Sequence, residues 1–174
     1  MDLYSLFAPT DSEVIVSKFA AHFSKTCTAN NESKARFLHS KYCVMRASYS
    51  GLPLQERHVI DAKLVSNVIS RHKRGKAADI AGVSAEHLLH SHPSVDLVLY
   101  KLFNLIIKRG YVPSGFRYSY IVPVPKINDC RSKELTCDDF RGIAISPVIS
   151  KVFEHCLLDK FQTFFTSCSA QYGF

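Results

Sequence analysis

Ile121-Val122-Pro123-Val124-Pro125-Lys126 and, after a polar stretch, Asp139-Phe140-Arg141-Gly142-Ile143-Ala144-Ile145-Ser146 decide the fold. Both segments are dense in β-branched and aromatic residues, the composition of strands. Pro123 and Pro125 have no N–H to give a ladder, so the first strand belongs at a sheet edge. The intervening residues from Ile127 to Asp139 are charged and polar, as a connection should be. Antiparallel pairing then brings Lys126 and Arg141 together at the loop end of the ribbon. Two cations fixed there form a clamp for a triphosphate or a nucleic-acid backbone. The same residues also read as an ordinary solvated hairpin tip.

A two-stranded ribbon is marginal alone, so it needs helices or further strands to pack on. Downstream, Ser146-Pro147 reads as a capping hydroxyl with proline in the first turn. The helix so started carries Val148, Ile149, Val152, Phe153, Cys156, Leu157 and Phe161, and fades near Thr166. The aromatic stretch from Phe116 reads as part of the first strand. Before it, Ser94 is expected to cap a helix whose Val95, Val98, Leu99, Leu102, Phe103, Ile106 and Ile107 face a core. Gly110 stops that helix behind Lys108 and Arg109. Ser84 caps a short helix with Glu86 in its first turn.

From Leu54 another helix is expected, with Ile60, Leu64, Val65, Val68 and Ile69 on one face and its end near Gly75. The run Arg71-His72-Lys73-Arg74 suits the negative end of that helix and equally suits a polyanion. Residues 1–55 read as a looser extension, with a helix from Ser12 through Phe23 and a short apolar stretch, Phe37 to Met45, packing partly on the downstream residues. The expected class is α+β, mostly helical, with helices packed around a two-stranded antiparallel hairpin.

The 174 residues suffice for one real core, and 47% hydrophobic with 11% aromatic residues argue against disorder. Lys and Arg number 22 against 15 Asp and Glu, a net +7 that leans towards a polyanionic partner. No apolar run is long enough for a membrane span, and Met1-Asp2-Leu3-Tyr4 lacks the basic start of a secretion signal. An intracellular, cytoplasmic or nuclear, protein with reduced thiols is expected. Cys27, Cys43, Cys130, Cys137, Cys156 and Cys168 form no Cys-x-x-Cys pair, and a zinc shared by Cys130 and Cys137 fits no common spacing. His87, His90 and His92 cluster with no thiolate beside them, and no metal site is assigned.

The ordered motifs resemble the fingers portion of reverse transcriptases from non-LTR (LINE-type) retrotransposons. The resemblance is carried by Pro125-Lys126, by Phe140-Arg141-Gly142-Ile143, by Ser150-Lys151-Val152-Phe153-Glu154 and by Gln171-Tyr172-Gly173-Phe174. Upstream, Gly75-Lys76-Ala77-Ala78 through Gly82-Val83-Ser84 is similar to the family's Gly-Lys-Ala-x-Gly-x-Asp-Gly-Ile segment. Phe19-Ala20-Ala21-His22-Phe23 is similar to the connector that precedes the domain. Three positions depart from the family pattern: Asp79 replaces a glycine, Ala81 an aspartate, and Gly142 the proline of an Arg-Pro-Ile strand.

The resemblance implies a connector over 1–55 and, over 56–174, the fingers and the start of an incomplete palm. It gives Lys126 and Arg141 the incoming nucleotide's phosphates, and Arg71, Lys73, Arg74 and Lys76 stand as candidate nucleic-acid contacts. The implied partners are an RNA template, a DNA primer, deoxynucleoside triphosphates and the palm and thumb segments, with Mg2+ for the intact enzyme. The family's metal-binding aspartates follow the Gln-x-Gly-Phe marker, so no catalytic or metal residue is assigned, and the chain alone is expected to polymerise nothing. Asp138-Asp139 is a decoy in a polar loop. Two other readings stay open: a non-catalytic nucleic-acid-binding or interaction module derived from a retrotransposon, and a helical interaction domain.

Overall fold

A computed structural model describes residues 12–28, 31–50, 59–126 and 135–164. Those residues are mostly helical with one two-stranded antiparallel sheet, the α+β class expected. The elements are α1 (Ser12–Thr26), α2 (Glu32–Ser48), α3 (Ala62–Arg71), α4 (Ala85–Leu89), α5 (Ser94–Arg109), β1 (Tyr120–Pro125), β2 (Phe140–Ile145) and α6 (Val148–Phe161). The chain divides into two compact units. The first holds residues 1–52 and 121–143, and the second holds 53–120 and 144–174. Residues 121–143 of the hairpin group with the N-terminal helices.

The second unit is built on α3, α5 and α6. Val65, Val68 and Ile69 of α3, Leu99, Phe103 and Ile106 of α5, and Val152, Phe153 and Cys156 of α6 form one buried cluster. Phe103 and Phe153 meet with ring centroids 5.1 Å apart, and Phe116 lies 6.2 Å from Phe153. Asn104, a polar residue inside α5, ties the start of α3 to this core. Its Oδ1 accepts from the Ile60 N–H at 2.9 Å, and its Nδ2 donates to the Ile60 carbonyl at 2.6 Å. Both backbone groups of a fully buried residue are thereby satisfied.

The helix ends correct several expectations. The helix read from Leu54 to Gly75 spans only Ala62 to Arg71 among the described residues. Asp61 caps it through the Leu64 N–H at 2.7 Å, and the His72 N–H closes it on the Ile69 carbonyl. Lys73 and Arg74 therefore lie beyond the last turn, and only Arg71 stands at the negative end of the helix. Ser94 is the first residue of α5 and makes no capping bond; His92 takes that role, its Nδ1 accepting from the Ser94 N–H at 3.2 Å. Val98, assigned to the core face, is 63% exposed. Gly110 ends α5 as expected, in the left-handed conformation at φ 60°. Residues 114–117 form a 3-10 turn, so the first strand starts only at Tyr120. Thr166, where α6 was expected to fade, lies outside the described residues, as do the Gln171–Phe174 marker, Cys130 and Cys168.

The first unit has a smaller core of Phe19, Leu135 and Phe140. Phe19 of α1 meets Phe140 of β2 edge to face at 4.9 Å. The helix expected from Ser12 through Phe23 is thus present and packs on the hairpin. The run Thr26 to Lys34, read as a break, contains the start of α2, whose cap Asn31 accepts from the Lys34 N–H at 2.9 Å. No residue of α2 is buried, although Leu38, Tyr42 and Met45 stand at helical spacing.

The α3–α6 packing has two measurable consequences. Burial pushes the Cys156 thiol up to about 12. In native protein at neutral pH a thiol reagent should modify exposed Cys27 and Cys43, and Cys156 only after denaturation, as peptide mapping will show. Labelling of native Cys156 as fast as Cys27 would contradict this packing. His72 sits with one ring nitrogen buried and unbonded, 5.3 Å from the His155 ring. Burial, then the fields of His155 and Lys151, lowers its pKa from the ordinary 6.5. The folded state therefore binds fewer protons than the unfolded chain below pH 6.5, and stability falls as pH drops from 6.5 through the folded value. Melting temperatures measured from pH 7.5 to about 5 should decline, and His72→Gln should flatten the decline; an unchanged profile in that variant would contradict it.

Candidate nucleic-acid interface

The hairpin's register fixes where its cations point. The Lys126 N–H donates to the Asp139 carbonyl at 2.8 Å. Stepping inwards by twos along an antiparallel ladder, the bonded residues of β1 are Val124, Val122 and Tyr120. Pro123 and Pro125 then fall on positions that need no donor, which is how one short strand tolerates both. The same register puts Lys126 and Arg141 on one face as diagonal neighbours, a separation of roughly 7–8 Å between α-carbons. Both side chains are exposed.

The opposite face is the one that packs. Phe140 is buried there against Phe19. A Cβ on Gly142 would stand 3.0 Å from the Phe23 ring and 3.1 Å from an Ile121 methyl, so a side chain here would have to push both back by a few tenths of an ångström. Gly142 was read as a departure from the family's proline; its place against Phe23 is a physical reason for glycine in this chain.

The loop end is not purely basic. The Lys126 Nζ donates to the Asp138 carbonyl at 2.7 Å, which folds the ammonium back over the loop. The Asp138 side chain is 88% exposed, with His22 Nδ1 3.9 Å from one of its oxygens. Asp139 turns inwards: its Oδ2 accepts from the Thr136 N–H at 2.9 Å and the Thr136 hydroxyl at 3.0 Å. One carboxylate thus caps a turn and the other faces solvent, so they do not converge on a metal. Among the described residues no three His, Cys, Asp or Glu side chains are placed to hold one. His87 and His92 each commit a ring nitrogen to a neighbouring serine, His87 to Ser84 at 3.0 Å and His92 to Ser94 at 2.9 Å.

The second unit carries the other basic group. Arg71 is ion-paired with Asp159 of α6 and donates through Nε to the Asn67 carbonyl at 3.2 Å, so it joins α3 to α6. Lys73, Arg74 and Lys76 are exposed on the loop beyond α3. Gly75 sits among them at φ 69°, where a side chain would be strained. Its N–H donates to the Glu86 carboxylate. That bond, followed by hydrogen bonds from Glu86's own backbone and from Ser84, holds the Glu86 carboxyl below its usual range.

Asp79 anchors the loop's far end and was not recognised from the sequence as a functional or structural residue. It is 8% exposed. Its Oδ1 accepts from the Ala81 and Val83 N–H groups, each at 2.9 Å. Its Oδ2 accepts from the Val148 N–H, also at 2.9 Å, at the first residue of α6. Ser146, the expected cap, instead accepts from the Ser119 hydroxyl at 3.1 Å. A carboxylate at a helix N-terminus also favours the positive end of the dipole. The signal was present in the sequence, an aspartate three residues ahead of Gly82, but its main partner lies 69 residues away. Tyr120 reinforces the anchor by donating from its hydroxyl to the Ala78 carbonyl at 2.7 Å.

No protein-family model matches the chain, and no curated protein matches it in sequence.

Proposed function

We propose that this chain is the fingers portion of a reverse transcriptase of the non-LTR type, supplying contacts to nucleotide phosphates and to the template. The observation that carries the reading is the shared open face of Lys126 and Arg141, set by the ladder bond from Lys126 to Asp139. A guanidinium beside an ammonium on a ribbon stiffened from behind by α1 suits a polyphosphate, the first giving bidentate bonds and the second a movable charge. Lys126 would exchange the Asp138 carbonyl for a phosphate oxygen, a swap of a neutral acceptor for a charged one. In the intact family enzyme magnesium would supply the transfer chemistry, and the fingers' part is to bind and orient.

The exposed Lys73, Arg74 and Lys76 support a second reading, a non-catalytic nucleic-acid-binding module of the same descent. Such binding would need neither nucleotide nor metal and would weaken steeply with salt.

Titration of the chain with a labelled deoxynucleoside triphosphate and with a labelled oligonucleotide separates the two. On the first reading Lys126→Ala and Arg141→Ala each weaken nucleotide binding by roughly tenfold, in keeping with a charged hydrogen bond of about 1.5–3 kcal/mol. On the second, nucleotide binding is absent and Lys73→Gln with Arg74→Gln lowers the salt slope of oligonucleotide binding by about 0.7–0.9 per cation. Unchanged nucleotide affinity in both hairpin variants would remove the clamp assignment.

A further inference from the structure

Helix α2 brings one pair of metal-ligating side chains together. His39 and Cys43 stand four residues apart on it and so share a face. Every Cα–Cβ bond of a helix leans towards its N-terminus, which carries the short Cys43 side chain back over the turn that holds His39. The Cys43 Sγ and the His39 Nε2 stand 3.6 Å apart. Both side chains are exposed, and the Cys43 thiol is free.

A thiol is a weak donor, and water competes for a bond between two exposed groups, so as a hydrogen bond the contact adds little. As a chelating distance it fits. Zinc takes thiolate sulfur at about 2.3 Å and imidazole nitrogen at about 2.0–2.1 Å, and a tetrahedral angle between those bonds sets S and N about 3.5–3.6 Å apart. The pair therefore stands ready for one ion without any change of backbone. A soft thiolate beside an imidazole selects zinc-class ions over magnesium or calcium.

The surroundings admit such an ion. At about 100° per residue the two ligands fall about 100° and 140° round the helix from Leu38, outside the stripe of Leu38, Tyr42 and Met45. No apolar surface has to be covered or uncovered for the ion to reach them. On the same side Glu32 pairs with Arg36 at 2.7 Å and presents no net charge. Arg46 is the other cation there, and a Cys43 thiolate offsets it. A nucleophilic Cys–His pair would need oxyanion donors as well, whereas the backbone N–H groups around this pair are committed to the helix.

We propose that His39 and Cys43 form a two-ligand seat for a divalent ion of the zinc class. On binding, the hydrated ion gives up two waters, the thiol gives its proton to solvent, and the Sγ–metal and Nε2–metal bonds form, with water keeping the two remaining positions. The pair lies outside the hairpin and the 71–76 loop, so the seat stands or falls independently of the nucleotide and nucleic-acid readings.

The test is a titration of the reduced, chelator-stripped full chain with Co2+, a coloured stand-in for zinc, followed by alkylation with and without Zn2+. A thiolate-to-cobalt charge-transfer band should appear and should be bleached by zinc. Zinc should slow the labelling of Cys43 and leave exposed Cys27 unaffected in the same peptide map. Cys43→Ser should lose the band, His39→Ala should lose the zinc protection of Cys43, and Cys27→Ser should change neither. Both ligands are exposed on a helix with no buried residue, so neither variant disturbs a core. One ion per two chains, with the same dependence on both residues, supports the seat and puts the pair of a second copy in place of the waters. A band retained in Cys43→Ser overturns the proposal. So does Cys43 labelled as fast with zinc as without it, or protected by zinc even in His39→Ala.

Discussion

The Asp79 carboxylate is the constraint on which the second unit's loop geometry depends. It gathers N–H groups from Ala81, Val83 and Val148, so one buried charge both closes a turn and starts α6. A buried carboxylate without such donors would be costly, and helix α6 without it would begin on unsatisfied N–H groups. Each side therefore removes the other's penalty. The turn it closes brings Gly82 to φ 75° and lies directly beyond the exposed Lys73, Arg74 and Lys76, whose near end is held by Gly75 on Glu86. The basic loop is thus fastened at both ends, to α4 and to α6, and is presented instead of left to collapse.

The hairpin obeys a comparable logic in the first unit. Its α1-facing side is fixed by Phe140 on Phe19 and by the missing side chain at Gly142, which leaves the other side to carry Lys126 and Arg141. Two of the positions where the sequence departs from the family pattern, Asp79 and Gly142, are places where this chain makes or permits specific contacts.

Features that rest on local rules were legible in the sequence. The two strands, the Gly110 stop and the short helix after Ser84 come from β-branched content, left-handed glycine and capping, each acting within a few residues. Pro123 and Pro125 marked an edge strand, but the register of the hairpin comes from the Lys126 bond to Asp139, which the sequence does not show. The misses are long-range. Ser146 looked like the cap of α6 because serine before proline usually is, but Asp79 reached it from 69 residues away. The helix expected from Leu54 was limited at Ala62 by Asp61 and by Asn104's grip on Ile60, neither of which leaves a periodic trace. Helix α2 went unread although Leu38, Tyr42 and Met45 recur at helical spacing, because the polar residues from Thr26 to Lys34 hid its start at Glu32.

Amide hydrogen exchange in the native chain and in Asp79→Asn is the decisive measurement on the Asp79 anchor. Asparagine keeps one carbonyl oxygen for Ala81 and Val83 but turns a donor towards Val148, so the cap on α6 is lost while the turn persists. The expected result is a selective loss of protection in the first turn of α6, with the Val83 amide little changed, and a loss of stability of about 1–3 kcal/mol. Asp79→Ala should release both segments together. Protection at the start of α6 unchanged in both variants would contradict the anchor.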